Sequence, residues 1–154
     1  MKRWIGFLAF ALSSLTACQT VQGIKPIYPE VGNPNIPAKV DSLQPTFRWD
    51  PPSDVNASYD LIIYEVLNPG TFWQRASRRP GRMVYYRQAI KDTSHTVEET
   101  LKPNTEYYWS IRLRQGDKVS PWSTYDHAMF VPVPFGFIHE RGTSLLFLFK
   151  TPDK

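Results

Sequence analysis

The stretch from Leu101 to Leu113, LKPNTEYYWSIRL, sets Leu101, Pro103, Thr105, Tyr107, Trp109, Ile111 and Leu113 at every second position. A period of two held this long describes an extended strand with one apolar face, since a helix would scatter the same residues around its circumference. The opposite phase carries Glu106, Tyr108, Ser110, Arg112 and Arg114, which suits solvent or a partner. A strand with such a face requires a second sheet to cover it.

Further strands are legible on either side. Thr46-Phe47-Arg48-Trp49 alternates ahead of Asp50-Pro51-Pro52, where proline ends the ladder. Tyr59 to Val66 is apolar in both phases, with Tyr59, Leu61 and Ile63 in one and Ile62, Tyr64 and Val66 in the other. That pattern belongs to a central strand or to one whose outer face is covered. Met83 to Ala89, His95 to Val97 and Tyr125 to Val131 read as further strands. The 154 residues suit one domain, and no helical period appears after the first twenty. The expected class is all-β.

The amino terminus has a different purpose. Lys2 and Arg3 precede an apolar run, Trp4 to Leu12, that is too short to span a membrane, and Leu15-Thr16-Ala17-Cys18 closes the segment. This resembles a bacterial lipoprotein signal, whose Leu, small, small, Cys box is cleaved before a diacylglycerol-bearing cysteine. The resemblance implies that residues 1–17 are removed and that Cys18 carries covalent lipid, with no other cofactor expected. Gln19, where an Asp would imply inner-membrane retention, implies a cell-envelope protein anchored at the outer membrane and facing the periplasm or the cell surface. Cys18 is the only cysteine, so no intrachain disulfide can form. Loss of Lys2 and Arg3 lowers the formal net charge from +4 to +2, which removes most support for a nucleic-acid partner.

Residues 18–39, with prolines at 26, 29, 34 and 37, read as a semi-stiff tether; the alternative is that Ile27, Tyr28 and Val31 pack on the domain as a first strand. For residues 40–131, Trp49, the Tyr59-Leu61-Ile63 strand and Leu101-x-Pro103-x-Thr105-x-Tyr107 resemble a fibronectin type III domain, an immunoglobulin-like β-sandwich. The resemblance implies scaffold roles for Trp49, Leu101, Tyr107 and Trp109, with the Tyr107 hydroxyl bonded back to the preceding turn. It implies a fold and no activity.

Two segments depart from a plain domain of that type. Leu67 to Arg82 contains Phe72, Trp73, Arg75, Arg78, Arg79 and Arg82, and no acidic residue occurs between Val66 and Lys91. Trp and Arg are the residue types that carry interface energy, which makes these six the candidate binding residues. The competing reading is a solvated loop in which Phe72 or Trp73 folds back on the sheet. Residues 132–154 read as an additional C-terminal β-hairpin, Phe135 to His139 pairing with Thr143 to Lys150. That hairpin either covers or extends a sheet, or it meets a partner or membrane.

Catalytic signatures are absent from the sequence. His95, His127 and His139 lack paired-ligand spacing, and no nucleophile elbow or phosphate-cradling glycine loop occurs. Asp92, Glu98, Glu99 and Glu106 read as a solvated acidic region. The expectation is a non-catalytic lipoprotein that binds or assembles an envelope protein. The alternative is an envelope glycan or lipopolysaccharide binder that stacks sugars on Trp73 with Tyr64 or Tyr86. A hydrolase would need convergent carboxylates or a histidine in a cleft.

Overall fold

A computed structural model describes residues 19–32, 36–50, 57–67, 78–133, 136–141 and 146–154; for 19–20, 126–133 and 136–141 it describes the backbone. The described residues form strands and no helix: β1 (Gln19–Gln22), β2 (Pro26–Tyr28), β3 (Ala38–Lys39), β4 (Thr46–Trp49), β5 (Ser58–Leu67) and β6 (Arg79–Ile90). After these come β7 (Ser94–Thr96), β8 (Glu106–Gln115), β9 (Lys118–Val119), β10 (Thr124–Val133), β11 (Gly136–Arg141) and β12 (Phe147–Lys150).

The larger sheet runs β3-β12-β8-β5-β6, with β9 also paired to β8, and a three-stranded sheet runs β2-β4-β7. The two pack in a sandwich-like arrangement, and the alternating run supplies the interface. Tyr107, Trp109 and Ile111 are buried on the inner face of β8, beside Leu61 and Ile63 of β5 and Phe147 and Phe149 of β12. From the smaller sheet Phe47 meets Trp109 at a ring separation of 4.6 Å, and Trp49 meets Tyr59 edge-on at 5.4 Å. Aromatic rings bury large areas at low rotamer cost, and here they fill the space between the sheets.

The run is a strand only from Glu106 onward. Leu101 to Thr105 form the turn that leads into it, with Asn104 at φ 47°. The Tyr107 hydroxyl accepts the Lys102 N–H at 3.0 Å, so the first inward residue of the strand latches its own entrance. Thr151 ties the same turn to the chain end, accepting from Thr105 N–H at 2.9 Å and donating to the Lys102 carbonyl at 2.7 Å.

Three sequence expectations are corrected here. The described part of residues 18–39 is not a free tether. It contributes β1, β2 and β3, and Ile24, Pro26 and Pro29 are buried. A proline-rich segment can join a sheet at its edge, where missing N–H groups cost little. The outward phase of β8 is not open to solvent, because Tyr108 and Ser110 are buried. The tail is not a self-paired hairpin: β11 pairs with β10, whereas β12 pairs antiparallel with β8 and parallel with β3.

The last correction moves the domain boundary. Residues 118–123 run beside β8, with Ser120 N–H bonded to the Leu113 carbonyl at 3.0 Å and Ser123 N–H to the Ile111 carbonyl at 2.9 Å. The same line resumes at Phe147, opposite Trp109. One strand position beside β8 is thus filled by two pieces of chain, and the described residues 124–133 and 136–141 belong to an excursion between them. Its root is fixed by Ser123, whose Oγ accepts the Ile24 N–H at 2.7 Å and whose carbonyl accepts the Ser110 hydroxyl at 2.6 Å. Gly23 makes this approach possible: its φ is +91°, and a Cβ there would sit 2.7 Å from Ser123 Oγ. The excursion builds a separate sheet, β1-β10-β11.

Candidate protein-binding edge

The twelve-residue strand β6 ends the larger sheet, paired with β5 on one side and with no strand on the other among the described residues. Arg79, Pro80, Arg82, Met83, Arg87 and Gln88 are exposed along it, and Met83 retains 51% of its surface. An unpaired strand edge presents a row of backbone donors and acceptors that another chain can continue.

The candidate binding residues divide. Phe72, Trp73 and Arg75 lie outside the described residues. Arg79 and Arg82 stand on the exposed strand, where Arg82 reaches Glu65 at 3.8 Å with most of its side chain in solvent. Arg78 is different: it is 8% exposed, and its Nη2 sits 3.0 and 2.9 Å from the two oxygens of Glu106. Its charge acts on the buried Tyr108, which with Val66 and Leu148 forms the apolar cluster on the outer face of β5, β8 and β12, against which Tyr64 and Leu146 pack. A guanidinium with a long apolar stem suits that place.

Behind the edge lies a polar cluster that the sequence reading did not single out. Asp60, the third residue of β5, is fully buried and stands directly opposite Arg112 of β8. Arg114 donates to both of its oxygens at 2.7 Å, and Arg112 donates through Nε at 2.9 Å. A register shift between β5 and β6 sets Ala89 at φ 56° and brings its N–H within 3.2 Å of the same carboxylate. Arg112 also donates to the Tyr86 hydroxyl at 3.0 Å and lies 4.4 Å from the centre of the Trp122 ring.

Burial alone would raise the Asp60 carboxyl. Hydrogen bonds from Arg114, the Ala89 N–H and Arg112, with the Arg114 charge, outweigh it and hold the group below its ordinary value. A carboxylate held so firmly ionised, with its lone pairs occupied, is unsuited to take protons as a general base. The cluster stiffens the sheet that carries β6. Its sequence signal was an acid within an apolar strand, in the same outward phase as the arginines of its neighbour.

A second contact joins β6 to the smaller sheet. The Tyr85 hydroxyl lies 2.6 Å from His95 Nε2 and 3.4 Å from Glu98, with the two rings stacked at 5.9 Å. Burial holds the His95 ring below its usual value, against the pull of Glu98. The two tyrosines proposed as sugar platforms are engaged within the chain: Tyr64 packs on the outer apolar cluster, and the Tyr86 hydroxyl is shared between Arg112 and Gln88. No protein-family model, curated protein or solved structure matches this chain.

Proposed function

We propose that this chain is a non-catalytic, lipid-anchored envelope module that holds another envelope protein along the β6 edge. The observation that carries the proposal is β6 itself: a long rim strand with Arg79, Arg82, Met83 and Arg87 exposed, backed by a cluster that fixes its neighbours. Backbone pairing along the rim supplies affinity, and the arginines select an acidic or carboxylate-bearing segment. The fibronectin type III reading is the finer form of the sandwich. It is supported by the buried Trp49 and by the Tyr107 hydroxyl returning to the backbone upstream of its strand.

Anchorage rests on the Leu15-Thr16-Ala17-Cys18 box, and localisation at the outer membrane on Gln19. Because Gln19 already belongs to β1, the anchor is joined to the domain with little slack, so the partner is one within reach of the bilayer surface. A photo-crosslinking side chain at Met83, introduced into the full chain in cells, should yield one discrete heterologous adduct. Arg79→Glu together with Arg82→Glu should abolish that adduct while changing stability by no more than about 0.5 kcal/mol. An adduct formed from Ser94 on the opposite sheet, with none from Met83, would move the contact surface elsewhere.

A further inference from the structure

The excursion β10–β11 offers a second contact, of another kind. β1 pairs antiparallel with the root of β10, Gln22 opposite Thr124 and Gln19 opposite His127. Moving along β1 toward the amino terminus is therefore moving along β10 toward the end of the arm. Cys18 is one peptide unit from Gln19, a Cα separation of about 3.8 Å. Gln19, the residue after the acylation position, stands where the arm emerges from its third strand.

Beyond His127 the arm has two strands among the described residues, with registers from Ala128 opposite Arg141 to Val133 opposite Gly136. The sequence of that part is sharply sorted. Ala128 to Ile138, AMFVPVPFGFI, contains no charged or hydrogen-bonding side chain; Asp126 and His127 precede it, and on the return strand Arg141, Glu140 and His139 stand opposite Ala128, Met129 and Phe130, so the part that is apolar on both strands begins at Val131 opposite Ile138. Both phases of β10 are apolar from Ala128 to Val133, and a two-stranded ribbon of that kind is marginal in water without cover. Apolar residues at one end and ionisable ones at the other follow the gradient of a membrane interface.

We infer that Val131–Val133 and Gly136–Ile138 seat in the same bilayer that holds the acyl chains of Cys18, so that the domain is fixed at two points. The inference rests on the acylation proposed above for its choice of membrane. At about 3.3 Å per residue, Phe130 to Val133 reaches about 10 Å beyond His139, a depth comparable to that of interfacial segments. An open two-stranded ribbon leaves backbone groups unpaired along its edges, so it lies within the headgroup and upper acyl region and does not cross the hydrocarbon. Pro132 suits such an edge, having no N–H to leave unpaired. Two-point attachment sets the orientation of the domain: β6 stands across β8 and β5 from the line where the arm departs.

The test replaces the acyl chains by a neutral tether at the same position. The mature chain with Cys18→Ser, preceded by a hexahistidine, is held on phosphatidylethanolamine–phosphatidylglycerol vesicles containing nickel-chelating lipid. Cys18→Ser leaves no cysteine, so Val133→Cys or Ser94→Cys can each carry a single environment-sensitive fluorophore. The expected result is a blue shift at Val133 on vesicles, quenched several-fold more by brominated acyl chains than the label at Ser94. Val131→Asp with Ile138→Asp should reverse it while the near-ultraviolet circular dichroism is retained. Equal responses at Val133 and Ser94 would overturn the inference. A blue shift at Val133 without vesicles, growing with protein concentration, would overturn it in favour of a second copy of the chain. Acylation is read separately, from the mass of the amino-terminal peptide, so its failure and the failure of the arm are distinct results.

Discussion

Tyr107 combines a large buried ring with a hydroxyl that closes the turn before its own strand, so its two contributions can be separated. Tyr107→Phe removes the acceptor for the Lys102 N–H and should cost about 1–3 kcal/mol in denaturant unfolding. Trp109→Ala empties the centre of the core between Phe47 and Phe147 and should cost about 3–5 kcal/mol. Two titrating residues act at different points on the acid side of a pH profile. Asp60 has a folded value below its ordinary 3.8, so its contribution is complete above that value and is lost as pH falls through the folded one. Asp60→Asn should therefore show a shallower loss of stability in strong acid, from a lower starting point. His95 also lies below its ordinary 6.5, because the fold prefers the neutral ring. Above 6.5 that contribution is whole, and it declines as pH drops beneath 6.5 toward the folded value, where the unfolded chain takes up the proton first. A melting-temperature series should show this slope in the wild type and lose it in His95→Phe. Burial likewise pushes the Tyr125 phenol, which donates to the Gly32 carbonyl at 2.6 Å, up to about 12.

Among the elements, β12 carries the clearest prediction. Phe147 and Phe149 are completely buried, and Phe149 stacks on Tyr107 at 5.4 Å, so Phe147→Ala should cost about 3–5 kcal/mol. A detachable C-terminal hairpin would lose far less. Arg78 and Arg79 form a similar contrast: Arg78→Ala breaks a largely buried pair with Glu106 and should lower stability by about 3 kcal/mol, whereas Arg79→Ala should leave it nearly unchanged. Thermal unfolding of the two variants side by side is the check. The sequence made β4, β5 and β8 legible because their apolar residues alternate or fill both phases. It did not disclose that Phe147 to Phe149 of the LLFLF run belong beside β8, since an apolar run states that both faces want cover and is silent about which strand supplies it. The division of the arginines was equally hidden, because Arg78 and Arg79 are neighbours in sequence and the start of β6 separates their environments. Gly23 and Ser123 had no signal at all at their separation in the chain.

At the scale of the molecule, the amino-terminal segment changes meaning. Its prolines suggested reach, yet its described residues are strands that brace both the core and the root of the arm, so the domain is coupled closely to whatever holds Cys18. On the proposals above, membrane, arm and binding edge form one arrangement: the acyl chains and the tip of β10–β11 on the bilayer, the sandwich between, and β6 across β8 and β5 from the arm. The choice of membrane in that arrangement depends on the chemistry of one residue, Cys18. Mass spectrometry of the protein extracted from membranes tests it most directly. The account predicts a chain that begins at Cys18 and carries a thioether-linked diacylglycerol. A chain cleaved elsewhere, or one with a free Cys18 thiol, would contradict it.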